Sequence, residues 1–558
     1  MINTSATLHR ILLFLLLFLM SSGGVRAQQE PSVVLSSDRT IIYIDRLQLH
    51  GDESLMDVLL MYPEQLVSGY DDMLDNYQLR MENVVMSCDI RQFLTSTPAK
   101  ACTKIQVCEN PGVLKGKPGM GGVIDINMRH NTEGTHGLVN LEAATSTDLS
   151  PQVNINYGKT DSAGYSTDLY ATTSADFHYP RAELNINQYA DIHLKQQMGN
   201  RDRLLVYLRQ SYEQDISYFT EQNYLARARY FHTFNDIGTE LLALAGYQYY
   251  TIANQPAPDM SQNVRRIQTG TQLYVLELNT PIPFAKGLQL CAGWEMDVAN
   301  HRYHFFQDIV KSLIPFDTLD NYSVINNDFY LQLDYTIGPV KFSLGDRLSY
   351  YNYGMRSLHN KSSHNDLRNF FIASIAATIT KEHQLQAGYY RRFINPSLLM
   401  VLPVGLPTDP AEEIKADIVR LAYTYTHNRV NLNFGAKYTH MVEENAHTVQ
   451  VNVAASWMTD WLILTGGASL THTIASKGIP YGCIRLSPTF RLPYQWRIAA
   501  QVIWYSSNAP ERALTSWPVY GQVGIEKCID NILKLSLQWH SPYNRNLNSA
   551  VFSAKVLF

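Results

Sequence analysis

Residues 329–337 read FYLQLDYTI, with Phe329, Leu331, Leu333, Tyr335 and Ile337 at one set of alternate positions and Tyr330, Gln332, Asp334 and Thr336 at the other. A period of two belongs to a β-strand, whose successive side chains point to opposite faces, so this segment has one apolar and one polar face. The pattern recurs at Val430, Leu432, Phe434, Ala436 and Tyr438, set against Asn431, Asn433, Gly435 and Lys437. It returns at Val449, Val451, Val453, Ala455 and Trp457, and again at Phe552, Ala554, Val556 and Phe558, set against Ser553 and Lys555. From Gly137 onward the chain reads as mainly β, with about 22 antiparallel strands.

Turn signals divide the runs at Gly338-Pro339, Thr459-Asp460, Pro493-Tyr494, Asp530-Asn531 and residues 381–383 and 427–429. Longer breaks at residues 255–264, 306–322, 355–369 and 395–415 alternate with these short ones. Short turns on one rim and long loops on the other are the arrangement of a transmembrane β-barrel. The content of Tyr 35, Phe 20 and Trp 7 suits a wall between lipid and water. A large soluble β-sandwich or propeller would also alternate, but its polar face would carry many more Lys and Glu. A net charge of −5 offers no basic footprint for nucleic acid.

At the N-terminus, Arg10 precedes the apolar run 11–20, and Val25-Arg26-Ala27 offers small residues for cleavage. Residues 1–27 therefore read as a secretory signal peptide. Cys88, Cys102, Cys108, Cys291, Cys483 and Cys528 form no CxxC pair, so neither a metal site nor a bound cofactor is indicated. In an exported chain two of the first three could pair, while the last three fit strands as small apolar residues. Lipid offers backbone groups no partners, so a membrane-spanning sheet must close on itself. A closed sheet of this size encloses a bore that side chains cannot fill.

Residues 40–130 offer an occupant for that bore. Thr40 to Ile44 is strand-like, residues 53–63 form a short amphipathic helix stopped by Pro63, and residues 77–85 contain a further strand. Asp57, Leu60 and Pro63 in the helix, Ile105 and Val107 in a strand, Asn110-Pro111-Gly112, and Gly121-Gly122-Val123-Ile124 together resemble the plug of TonB-dependent outer-membrane receptors. The resemblance extends to the barrel and is nearest to the shorter, outer-membrane β-barrel-type receptors of Bacteroidetes-like bacteria. Residues 390–399, 407–413 and 417–426 are similar to a strand, extracellular loop and return strand of that family. Departures are Glu64 after the helix proline, Gln106 in place of a usual Glu, and Ser87-Cys88-Asp89 in place of an Asp-Gly hairpin; residues 28–38 carry no clear TonB box.

The resemblance implies a signal peptide 1–27, a flexible periplasmic segment 28–39, a plug 40–130 and a transmembrane barrel 131–558 in the outer membrane of a Gram-negative bacterium. It implies an import receptor for a scarce small nutrient, driven by TonB, surrounded by outer-membrane lipids and inserted by the barrel-assembly machinery, which would read the terminal Phe558. The nutrient is not identified. Glycines Gly112, Gly116, Gly119, Gly121 and Gly122 would let the plug turn tightly beside the wall. Asp334, Arg347, Arg391 and Arg392 are expected to hold the plug from the lumen. His301, His304, His359, His364 and Asn395 are candidates for a ligand loop, with solvated loop residues as the alternative reading. No GxSxG, HExxH or phosphate loop points to an enzyme. A barrel that has lost transport and serves as an adhesin or docking wall is the competing function.

Overall fold

The computed structural model describes residues 33–35, 39–47, 49, 53–61, 77–81, 84–85, 90, 94, 97, 99, 102–108, 122–128, 134–144, 148–160, 165–178, 183–215, 219–254, 264–282, 286–307, 316–356, 361–394, 414–427, 429–442, 445–474, 480–507, 519–530, 533–541 and 549–557. Its first part is a six-stranded sheet in the order β1-β2-β5-β6-β3-β4. The strands are β1 (Val33–Leu35), β2 (Thr40–Tyr43), β3 (Tyr77–Met81), β4 (Val84–Val85), β5 (Cys102–Cys108) and β6 (Gly122–Met128). All neighbours are antiparallel except β3 and β6, which run parallel from Tyr77 beside Gly122 to Met81 beside Ile126. Helix α1 (Leu55–Met61) lies against this sheet, its Leu55, Val58 and Leu59 buried with Ile42, Leu79, Ile105, Val107, Ile124 and Ile126. Burial of that many branched side chains, at roughly 1.5–3 kcal/mol each, is what lets so short a helix persist.

One expectation is corrected by β1. Val33 to Leu35, read as part of a flexible segment, pair with Ile42, Ile41 and Thr40 and form the edge of the sheet. Val33 and Leu35 are buried while Val34 between them is not, which is the alternation of a strand with one covered face. Three residues are too few for that alternation to stand out in sequence.

The second part is a closed antiparallel barrel of 22 strands among the described residues, from β7 (Gly134–Ala144) to β28 (Ser549–Leu557). Closure is made where Leu138 to Ala144 of β7 pair with Leu557 to Val551 of β28. Sequence alternation and wall geometry agree: Phe329 is 58% exposed on the outside, whereas its neighbour Tyr330 is 5% exposed on the inside. Leu331, Ile337, Phe434, Val453, Trp457, Phe552 and Val556 share the outer, exposed face. Exposed Trp457, Trp461, Tyr494 and Trp496 cluster near one rim, and Tyr350, Trp504 and Trp539 lie toward the other, as an apolar band with aromatic borders requires.

Connections at the first rim are short, for example residues 199–201, 338–339, 459–461 and 530–532. Gly338 there takes φ +54°, a left-handed value that suits glycine in so tight a reversal. At the second rim the strands are separated by residues 255–263, 395–413 and 506–518. Two expected loops are shorter than their sequences suggested. Strand β16 (Phe316–Ile337) and strand β18 (Lys361–Thr378) extend into residues 316–322 and 361–369, where the sequence lacks the apolar alternation of the lower wall.

Candidate functional site

The six-stranded sheet meets lumen-facing side chains of strands far apart around the wall, so it occupies the bore as a plug. At its edge, the side-chain amide of Gln384 on β19 (His383–Ile394) stands in for a neighbouring strand. Leu35 N donates to Gln384 Oε1 at 2.7 Å, and Gln384 Nε2 donates to Val33 O at 3.2 Å. Gln384 is 2% exposed, so these bonds replace water that cannot reach the site.

A second fastening starts at Glu53, just before α1 and 1% exposed. Backbone bonds from Ala99 N to Glu53 O (2.8 Å) and Leu55 N to Thr97 O (3.0 Å) hold this corner. Arg491 on β24 (Tyr481–Leu492) donates to Glu53 Oε1 at 3.1 Å, and Arg497 on β25 (Trp496–Tyr505) stands 4.0 Å from it. The charges continue along the wall from Arg497 to Glu526 (3.6 Å) and from Glu526 to Lys534 (2.9 Å). Below them Ile463 of β23 (Leu462–Thr473) joins the apolar core of the plug.

Arg80 of β3 makes a third approach, within electrostatic reach of Asp125 in the plug and of Glu295 and Arg229 in the wall. Burial lowers the pKa of its guanidinium, and the two carboxylates oppose that shift. Arg209 on β11 (Asp202–Asp215), Arg227 and Arg229 on β12 (Phe219–Thr233) and the carboxylate of Asp297 form a mixed-charge cluster with Arg80. Room for Arg227 comes from Gly246 across the strand pair, where a Cβ would lie 2.7 Å from its Cγ. Nearer the outer rim Arg368 is buried with its guanidinium 4.0 Å above the ring of Tyr351 and 6.0 Å from that of Tyr353, and the two tyrosines are stacked.

Inside the plug, the departure at Gln106 has a physical account. It accepts from Arg39 Nη1 at 3.1 Å and donates through Nε2 to Asn127 Oδ1 at 2.8 Å, a double role that an ionised Glu cannot fill. Ile105, Val107, Val123 and Ile124 are core residues of β5 and β6, and Gly122 opens β6. Asp57 and Leu60 fall in α1, while Pro63, Asn110, Pro111, Gly112, Gly121 and Phe558 lie outside the described residues. Cys102 and Cys108 are buried at the two ends of β5; Cys88 lies outside the described residues.

Among the lumen charges expected to hold the plug, Arg347 bonds Asp328 and Glu295 in the wall, and Asp334 bonds Gln332 and Ser343 of its own and the next strand. Arg391 is a correction. Gln384, Gln386 and Tyr390 are buried at even positions of β19, which places odd-numbered Arg391 on the outer surface, where it bonds Asp417 and Tyr389. Arg392 lies on the same strand, opposite Ala416 of the next. His301 and His304 lie on β15 (Leu288–Gln307). His364 of β18 is exposed and shares the face of Arg368, while His359 and Asn395 lie outside the described residues. No group of three His, Cys, Asp or Glu among the described residues converges to hold a metal ion. The contacts from Gln384 and Arg491 to the plug were invisible in sequence, since they join positions hundreds of residues apart.

The family model of the outer membrane protein beta-barrel family matches residues 232–413. No curated protein matches the chain in sequence. Among solved structures, the chain resembles the alcaligin outer membrane receptor FauA from Bordetella pertussis at TM-score 0.67 and 11% identity, covering 94% of this chain and 95% of that one. It resembles the ferric-catecholate import receptor Fiu from E. coli K12 at TM-score 0.66 and 10% identity, over 95% and 97% of the two chains. The copper transporter OprC gives TM-score 0.68 at 10% identity, over 96% and 100%. The chain thus has the fold of an outer-membrane β-barrel. Its fold, plug included, is that of the TonB-dependent receptors.

Proposed function

We propose that the protein is an outer-membrane receptor that binds a scarce small nutrient from outside and passes it to the periplasm when TonB draws on the plug. The observation that carries this reading is the fastening of the plug by breakable polar contacts, Gln384 to β1 and Arg491 to Glu53, inside a bore otherwise wide enough to pass solute. In this reading residues 1–27 are the signal peptide, the plug runs to 130, residues 131–558 are the barrel, and Phe558 is the end recognised by the assembly machinery. The pull would enter through the chain before β1.

Ferric catecholate is the cargo for which one of the structural neighbours is described, and an iron complex with carboxylate or catecholate oxygens is the cargo we assign to this chain. His364, on the lumen-side face above Arg368, is our candidate for contact with such a cargo at the outer mouth. The test is growth of matched strains with and without the chain under iron limitation, fed ferric citrate or a ferric catecholate. Growth that needs both the chain and TonB supports the proposal; indifference to the chain under iron, haem and vitamin starvation alike would reject it.

A further inference from the structure

We propose that the lipid-facing wall at β17 (Val340–Arg356) and β18 is a contact surface for a second copy of this chain, joined through Asp346 and Asn369. On β17 the outward positions include Phe342, Leu344, Asp346, Leu348 and Tyr350, all exposed, while Ser343, Arg347 and Ser349 between them are buried on the lumen side. Asp346 stands opposite Leu331 of β16 on one flank and Phe371 of β18 on the other. A carboxyl group is thus set among apolar side chains above, below and to both sides.

Its level makes that costly. Asp346 is six residues beyond Val340, and at ~3.3 Å per residue and a tilt of about 40° it stands about 15 Å above the rim of short turns, well inside an apolar band ~25 Å tall. The outward carboxylates of Asp202 and Asp417 differ, because Asp202 opens β11 and Asp417 is the fourth residue of β20 (Ile414–His427), each near a rim. An ionisable side chain held in lipid marks an interaction, since hydrocarbon offers its oxygens no donor.

The pair supplies half of a closed set of bonds. Asn369 Nδ2 donates to Asp346 Oδ1 at 2.6 Å. The other carboxyl oxygen and the second N–H of the amide have no partner among the described residues. A two-fold axis along the membrane normal, passing between β17 and β18, sets Asp346 of each copy before Asn369 of the other, so each amide can give its second N–H to the facing carboxyl. Such a contact is isologous: every bond is made twice, and a second copy completes it without any further group. Leu331, Leu348 and Leu367, all exposed, surround the pair with Phe371 and would pack between the two walls. Packing and polar bonds are what hold surfaces together in lipid, since apolar area alone gains little over acyl chains.

Cysteine cross-linking of the full chain in lipid vesicles tests the contact, with L348C beside the axis and F552C, on β28 across the barrel, as the control. Oxidation should join L348C chains into a species of twice the mass and leave F552C chains single. L348C/D346L should give at least about tenfold less of that species, whereas L348C/D346N, whose amide can still pair with Asn369, should keep it. Heat-modifiable migration on a gel confirms that each variant is a folded barrel, and N369L takes the place of D346L should the latter fail to fold. No cross-link from folded L348C, equal cross-linking of F552C, or an undiminished yield with D346L or N369L would overturn the proposal. The same oxidation in native outer membranes should give the doubled mass; an adduct of another mass in its place would overturn the assignment to a second copy.

Discussion

Glu53 is a buried charge by which the plug touches the wall, and its partner Arg491 is only 14% exposed. Removing one member of such a pair leaves the other charge in a site built for two, at a cost of about 3–5 kcal/mol. Glu53→Gln should therefore speed hydrogen exchange in β5 and β6 while the barrel strands keep their protection. Unchanged exchange in the plug would show that the pair does not fasten it. Gln384→Ala removes two hydrogen bonds from β1, together worth about 2 kcal/mol, so the Leu35 amide should exchange roughly thirtyfold faster. Neither residue could be singled out in advance, because Glu53 and Arg491 are separated by 438 positions and no local pattern joins them. Gln106 was visible as a departure, but its meaning came only with Arg39 and Asn127 on either side.

Strands with lipid outside and side chains inside announce themselves, as Phe329 and Tyr330 do, because the two environments differ in polarity at every step. Strand ends above the membrane do not, which is why residues 316–322 and 361–369 read as loops. The orientation of Arg391 shows a related limit: a charged residue near the rim fits either face, and only the register fixed by Gln384 decides. Within the wall, the ring of Tyr330 lies over Gly293 of β15 and its hydroxyl donates to Glu277 at 2.8 Å. Gly293→Val must displace that ring, with an expected cost of about 1–3 kcal/mol from overpacking. The temperature at which the barrel loses its heat-modifiable form should fall, whereas Gly521→Ala, where the nearest atom to a new Cβ is 3.8 Å away, should leave it unchanged. Equal effects of the two substitutions would contradict the packing argument.

Backbone hydrogen bonding in lipid requires the 22 strands to close, and closure at this size creates a bore that needs a stopper. The plug meets that need through a small apolar contact at Ile463 and several polar ones, a combination that seals without cementing. Single-channel recording in a planar bilayer tests this account most directly, comparing the full chain with one lacking residues 32–130. The full chain should be silent, and the shortened barrel should show large, steady openings. Steady conductance of the same size from both would contradict the claim that the plug closes the bore.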